Sequence, residues 1–325
     1  MAVPSDTFLT YTAIGNREDL SQAIYDISPT ERPFMSMVDK VSATGKLHEW
    51  QTDSLATAAT NTNLEGADAV TNASTPTTRL TNYCQISDKV VRVSGTQQSV
   101  DSAGRADEMS YQLAKRGKEL MRDCEFALVR NQASSEGGAG TGRALAGVES
   151  WLATHQTVAG GSASPAAATT PGYSSGNTVS PTDASATGAF TEGDLKTVIQ
   201  NCWSAGGEPS IVMVGKFNKS AASAFSGIAT QYRENSGQTA ATIIAAADIY
   251  VSDFGTLKIV PNRFQRDQTA LVLDPEMWAI AELRPLDTIP LAKTGDSDQM
   301  QILKEFTLVS RNEASSGKVS DLTTA

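Results

Sequence analysis

Twenty-one residues, 56–76, made almost entirely of Ala, Thr, Asn, Gly and Ser, separate two segments of β character in the first third of this chain. The first segment, residues 46–55, puts His48, Trp50 and Thr52 on one face at period two. The second, residues 77–94, does the same for Leu80, Cys84 and Ile86 and ends in Lys89-Val-Val-Arg-Val93. A compact domain seldom holds so long a structureless loop unless the loop has a task. Neither strand is continuously apolar, so the hairpin is not a core element of its own subunit. A two-stranded hairpin is marginal in water by itself. The pattern predicts a long projecting hairpin that rests on a neighbour, such as another copy of the chain.

The clearest single element is a helix over residues 105–131. Met109, Leu113, Gly117, Leu120, Cys124 and Leu128 recur at three or four, one stripe of an α-helix. Asp107 and Glu108 fall in its first turn and Arg130 in its last, as the macrodipole favours. It would be roughly 40 Å long. A narrow stripe interrupted by Gly117 suits a spine lying along a sheet rather than a coiled coil.

Residues 1–43 read as an arm, punctuated by Pro4, Pro29 and Pro33, with only Leu20, Ala23, Ile24 and Ile27 at helical spacing. Residues 158–189 hold no Lys or Arg and one acid, Asp183. Such composition does not offset an ordering cost of about 1–2 kcal/mol per residue, which predicts a low-complexity surface loop. Residues 190–290 read as an α/β module. Thr191-x-x-Asp194 resembles a capping box, Leu195, Val198, Ile199, Cys202 and Trp203 follow at helical spacing, and Gly206-Gly207 stops the helix. Strands are expected at 211–214, 249–251, 257–260 and 271–273, and a helix near 218–225. A short helix is expected to carry Met277, Trp278 and Ile280. Residues 291–325 return as extended structure, and the mix is α+β.

Chemistry is harder to find. With 26 Lys and Arg against 36 Asp and Glu, the formal net charge is −10. That balance argues against a protein that grips nucleic acid through counterion release. No apolar run reaches the length of a membrane span, and the start has neither the basic nor the apolar region of a secretion signal. Cys84, Cys124 and Cys202 are far apart and form no CxxC pair, which fits a reduced, cytosolic setting. His48 and His155 are isolated, so no metal site is expected. Gly172-Tyr-Ser-Ser-Gly176 matches a nucleophile elbow in letters only, because it lies in low-complexity sequence without the required strand and helix. Gly138-Ala-Gly-Thr-Gly142 lacks the Lys and Ser/Thr of a phosphate loop, and Leu145 stands where a dinucleotide fingerprint needs its third glycine. No catalytic residue and no cofactor is expected.

Arm, long hairpin, spine helix and α/β module occur in a distinctive order, and local wording adds to it. Leu20-Ser-Gln-Ala-Ile-Tyr-Asp-Ile-Ser-Pro-Thr-Glu-Arg-Pro-Phe34, Trp50-Gln-Thr-Asp-Ser-Leu55, Ile249-Tyr-Val-Ser-Asp-Phe-Gly-Thr-Leu-Lys-Ile-Val-Pro-Asn-Arg-Phe264 and Leu273-Asp-Pro275 carry the likeness. Together they resemble the major capsid proteins of tailed bacteriophages, which have the Hong Kong 97-like fold. The resemblance implies an N-arm at 1–43, an extended E-loop hairpin at 44–90, and a peripheral domain at 91–157 with the spine helix. It implies an axial domain at 190–290 and return strands of the peripheral domain at 291–325.

The implied function is mechanical. Subunits would self-assemble into hexamers and pentamers of a head enclosing double-stranded DNA, contacted only weakly by an acidic wall. Assembly would occur in the host cytoplasm, and the product would be the virion. Hairpin residues Lys46, His48, Trp50, Arg79 and Tyr83 would touch neighbouring subunits. The implied partners are a separate scaffolding protein, because the chain starts almost directly at the arm, together with portal and decoration proteins. Some relatives cross-link through a lysine on this loop; residues 56–76 contain none, and Lys46 lies at the base, so no such link is expected. An encapsulin-like compartment shares the shell fold and is the alternative; an α/β hydrolase is a weaker one.

Overall fold

The computed structural model describes residues 31–324 apart from 67, 69–73, 75, 101–106, 160–171, 175–176, 184–186 and 226–248. The helical spacing expected at 20–27 lies outside the described residues. Pro33 opens a short helix, α1 (Pro33–Met37), where its missing N–H costs nothing. Helix α1 buries Phe34 and Met35 and leads into β1 (Asp39–Ser42). The hairpin follows as β2 (Leu47–Thr52) and β3 (Thr78–Tyr83), antiparallel, with Trp50 opposite Leu80. The second β segment breaks at Cys84, so that β4 (Gln85–Ser94) leaves the hairpin and pairs elsewhere. Buried Cys84, whose N–H donates to the Lys46 carbonyl at 2.8 Å, marks the break.

After a short helix, α2 (Gly95–Ser99), the long helix α3 runs Glu108–Val129, within the span read from its periodicity. Asp107 caps it by accepting from the N–H groups of Met109 and Ser110, both at 3.1 Å. Then come α4 (Val148–Trp151), β5 (Gln156–Val158), β6 (Gly172–Ser174), β7 (Asn177–Val179) and α5 (Glu192–Ser204). Strand β8 (Ile211–Val214), helix α6 (Lys216–Ser223) and the hairpin β9 (Ile249–Ser252) and β10 (Gly255–Pro261) follow. The chain closes with β11 (Ala270–Leu273), β12 (Trp278–Pro290), β13 (Ser297–Ser310) and β14 (Gly317–Ser320).

Among the described residues, the strands form a four-stranded sheet β1-β12-β13-β4 and a six-stranded sheet β5-β14-β11-β8-β10-β9. Hairpins β2-β3 and β6-β7 stand apart from both. Helix α3 lies along the first sheet, as a spine should, and buries Leu120, Cys124 and Leu128 against Ile302, Phe306, Trp151 and Trp278. Helix α5 packs Leu195, Val198, Ile199 and Cys202 against Val212, Ile259 and Val319 of the second sheet. Its end follows the expected form: Gly206 takes φ +85°, and Gly207 N–H donates back to Cys202 O at 2.9 Å.

Several expectations need correction. Met277, Trp278 and Ile280 do not share a helix. A single 3-10 turn, Pro275–Met277, gives way to β12, whose first four residues are buried on both faces. A strand covered on both sides loses its alternation and reads like a short helix. Trp203 leaves the buried face of α5 and lies half-exposed, 5.1 Å from the ring of Phe254. The expected surface loop at 158–189 is tied down in part. Thr178 is buried and accepts from Ser134 N–H at 2.8 Å, Pro181 O accepts from Asn131, and Asp183 holds Arg266. Those bonds supply what the local composition lacks.

The sheets also cut across the ranges read from the sequence. Strand β12, from the 190–290 module, pairs with β13, while β14, from the return segment, joins the six-stranded sheet beside β5. Strand β1, from the arm, pairs in parallel with β12. Periodicity identifies a strand but not its partner.

Candidate inter-subunit surface

The hairpin is fixed at its root and bare at its tip. Asn82, fully buried on β3, accepts from Ala146 N–H at 2.9 Å and donates to Leu308 O at 2.7 Å. The Trp50 indole donates to Ser310 O at 2.8 Å, and its ring lies 5.5 Å from that of Trp151. Beyond Thr52 the ladder ends. Residues 53–66 are exposed, with Leu55 at 99% and Leu64 at 84%. Each leucine left in water forgoes about 1.5–3 kcal/mol of burial. A groove of about 1020 Å³ opens beside the root, lined by Thr52, Leu55, Trp151, Arg311 and Glu313 among others.

The five residues expected to meet neighbours all lie at or near this root. Lys46 pairs with Glu136 at 2.8 Å, and Arg79 pairs with Glu49 across the hairpin. Both pairs are exposed, and such pairs hold weakly in water, so another subunit's charges can replace them. Trp50 is turned into its own body. His48 lies 5.7 Å from Trp50, and burial pushes its pKa down. Tyr83 N–H donates to Ser134 Oγ at 3.3 Å. The hydrogen bond and charge of Glu136 raise the Lys46 pKa, keeping the amine protonated and poorly nucleophilic. Asn82 was missed in the sequence, although a signal exists: it shares the inward face with Leu80 and Cys84.

Three buried ionic sites brace the body behind this surface. Glu125 on α3 is fully buried and accepts from Phe34 N–H at 2.8 Å, Met35 N–H at 2.9 Å and Asn262 Nδ2 at 2.8 Å. Burial pushes its carboxyl pKa up, and those donors pull against the shift. It thereby clamps α1, where the arm joins the body, onto the spine. Lys304 is buried against Glu282 at 2.7 Å, and the neighbouring Glu305 takes Arg284 at 2.7 Å and also Arg143. In the third, Glu149 on α4 meets Arg266 at 3.2 Å and Thr269 at 2.6 Å, while Lys318 donates to the Glu149 carbonyl at 2.9 Å.

Burial pushes the Lys318 pKa down to about 8, against about 10.4 for a free lysine. Between those values the unfolded chain holds the extra proton, so stability rises with pH by about 1.4 kcal/mol per unit. At pH 8 Lys318 is half protonated in the folded chain, so from pH 8 to 9.5 the protein should gain about 1.6 kcal/mol relative to Lys318→Met. Urea unfolding at the two pH values checks this, and parallel behaviour of the two chains would remove Lys318 as the source.

Other chemistry is sparse. Among the described residues, no group of three His, Cys, Asp or Glu could hold a metal, and no helix is long and apolar enough to cross a membrane. The three cysteines are free and buried, and burial pushes their thiols up to about 11 for Cys84 and about 12 for Cys124 and Cys202. Such thiols are inert at neutral pH. Of the Gly172–Gly176 letters, the described Gly172–Ser174 form β6, which pairs with β7.

A bare hairpin on a braced body is the form of an assembling subunit, and comparison with known proteins decides which. A family model described as SU10 major capsid protein matches residues 4–323. The chain belongs to this family. The major capsid protein of Escherichia phage Phieco32 is 28% identical, over 98% of this chain and 97% of that protein. The capsid of cyanophage A-1(L) superposes with a TM-score of 0.68 at 12% identity, covering 97% and 99% of the two chains. The SrpI encapsulin of Synechococcus elongatus PCC 7942 shares the fold at TM-score 0.57 and 11% identity, over 94% and 92%. The fold is the α+β, Hong Kong 97-like fold of phage capsid proteins, as the order of elements implies. The chain is a structural subunit of a phage shell, and its place is the virion.

Proposed function

We propose that this capsid subunit closes into hexamers and pentamers of a head around double-stranded DNA, with no catalytic step of its own. The observation that carries this reading is the hairpin, held by Asn82 and Trp50 at its root and exposing Leu55 and Leu64 beyond it. A projection fixed at its root and carrying two bare leucines beyond it is suited to a heterologous contact, the kind that propagates into rings and closed shells. In this reading the N-arm read as 1–43 ends in β1 on the α3 sheet, and the E-loop read as 44–90 ends at the Cys84 break, where β4 joins that sheet. The α3 sheet forms the peripheral domain, and the six-stranded sheet forms the axial one. Exposed Lys46 and Arg79, with His48 and Tyr83, would meet the next subunit from the two faces of the hairpin, while Trp50 serves as its anchor. A separate scaffolding protein directs closure, with portal and decoration proteins as further partners, and assembly takes place in the host cytoplasm.

Negative-stain imaging of the full chain, expressed alone, tests the reading. Rings of subunits or irregular shells are expected. A monomer at every concentration would count against the hairpin contact, and efficient uniform shells would remove the need for a scaffold. Nuclease-protected DNA inside particles from infected cells separates a head from an encapsulin-like compartment. Boiling those particles in detergent should release this chain as one band near 34.2 kDa, with no ladder of its multiples above it. A ladder would overturn the expectation that Lys46, held protonated by Glu136, forms no cross-link.

A further inference from the structure

In a chain with net charge −10, one helix face gathers a row of cations. Lys115, Lys118 and Arg122 lie at i, i+3 and i+7 on the outer stripe of α3, with Arg130 just past its end. The carboxylates of the same helix are all engaged. Glu125 is buried on α1, Asp123 pairs with Lys89 at 2.7 Å, Glu119 pairs with Arg116 at 2.5 Å, and Glu108 accepts from Gln112 at 2.7 Å. Among the described residues, no ion pair involves Lys115, Lys118, Arg122 or Arg130.

The Glu125 clamp adds two more cations. It gathers Phe34, two residues after exposed Arg32, and Asn262, next to exposed Arg263. Arg122 sits one turn before Glu125, with its guanidinium 5.7 Å from the Phe264 ring centre and its Nε buried without a hydrogen-bond partner. Arg130 lies 5.5 Å from the ring of half-exposed Phe126. Three separate segments thus bring arginines to one end of a straight row of cations. Guanidinium forks on such a row match phosphate oxygens better than isolated surface charges do. From Lys115 to Arg130 the row spans about 22 Å, a fair part of one turn of B-form duplex.

We propose that the outer face of α3, with Arg32 and Arg263, is a contact surface for duplex DNA phosphates, and so forms the inner wall of the shell. The proposal rests on the shell reading above. Each subunit contributes a few phosphate contacts and many copies sum them. The acidic remainder of the wall keeps the total weak, as a genome that must enter and leave requires. The overall charge excludes a strong nucleic-acid grip but not this local strip.

The test compares the full chain with Lys115→Gln/Lys118→Gln/Arg263→Gln by fluorescence anisotropy of a labelled 30-base-pair duplex across a salt series, using the fraction that size exclusion separates from closed particles, in which the inner face is open. A control variant, Lys40→Gln/Lys196→Gln/Lys216→Gln, makes the same charge change at exposed lysines elsewhere. The strip variant should bind at least tenfold more weakly at low salt, and its salt slope should fall by about three, while the control keeps the parent's affinity. Equal binding by strip variant and parent, equal loss in the control, or no binding by the parent would each overturn the proposal. Competition by polyglutamate as strong as by unlabelled duplex would assign the strip to an acidic protein instead. Imaging the same samples keeps the two readings apart. Rings or shells formed by a variant that binds DNA like the parent refute the strip alone, whereas their absence from the parent refutes the shell reading.

Discussion

Replacing residues 54–66 with a short Gly-Ser turn should leave the subunit folded and abolish closed particles. The excised segment contributes almost nothing to its own body: it follows the last ladder pair of the hairpin, and Leu55 and Leu64 are 99% and 84% exposed. The anchors of the hairpin, Trp50 on Ser310 and Asn82 on Leu308 and Ala146, lie outside it. Thermal unfolding should therefore shift by no more than a degree or two. Assembly is different. If both leucines are buried on a neighbour, each copy loses about 3–6 kcal/mol of contact, which is several factors of ten at every hairpin in a lattice. Leu55→Ser/Leu64→Ser, with the loop length kept, should reproduce most of the defect. Normal particles from the replaced chain, seen by negative stain, would show that the tip is dispensable.

What could be read in the sequence follows from which interactions are local. The spine helix was legible because its stripe, its Asp107 cap and Glu108 in its first turn lie within one segment; Arg130, expected in the last turn, is instead the residue after it. The end of α5 at Gly206-Gly207 was legible for the same reason. Strand partners were not. The pairing of β1 with β12, and the passage of β14 into the six-stranded sheet, depend on residues more than a hundred positions apart in several cases. The break at Cys84 was hidden because two strands ran together without a turn residue between them. At the surface, the hairpin and its bare tip could be read from composition. The buried polar anchors were harder: Asn82 falls on the inward face of its strand, but its partners, like those of Glu125, lie far away in the chain.

The second large effect concerns Glu149, another such residue, and Glu149→Ala should cost about 3–5 kcal/mol. Its carboxylate has no exposed surface and faces two cations, the Arg266 guanidinium at 3.2 Å and the buried Lys318 ammonium nearby. Arg266 keeps Asp183 when Glu149 is removed, so the loss falls mainly on Lys318, which is left charged in the core. A cost of that size is a large share of the 5–15 kcal/mol that separates a typical folded domain from its unfolded state. The cause can be isolated, because the penalty comes from an unbalanced charge rather than from lost volume. Glu149→Gln keeps the shape and the Thr269 contact but not the charge, and it should still be strongly destabilised. Adding Lys318→Met to it removes the stranded cation and should recover a substantial part of the loss. Urea unfolding of the two single variants and the double variant completes the cycle. Additive losses would mean that the two side chains do not sense each other, and the bracing of α4 against β14 would then rest on packing and on the Lys318 bond to the Glu149 carbonyl.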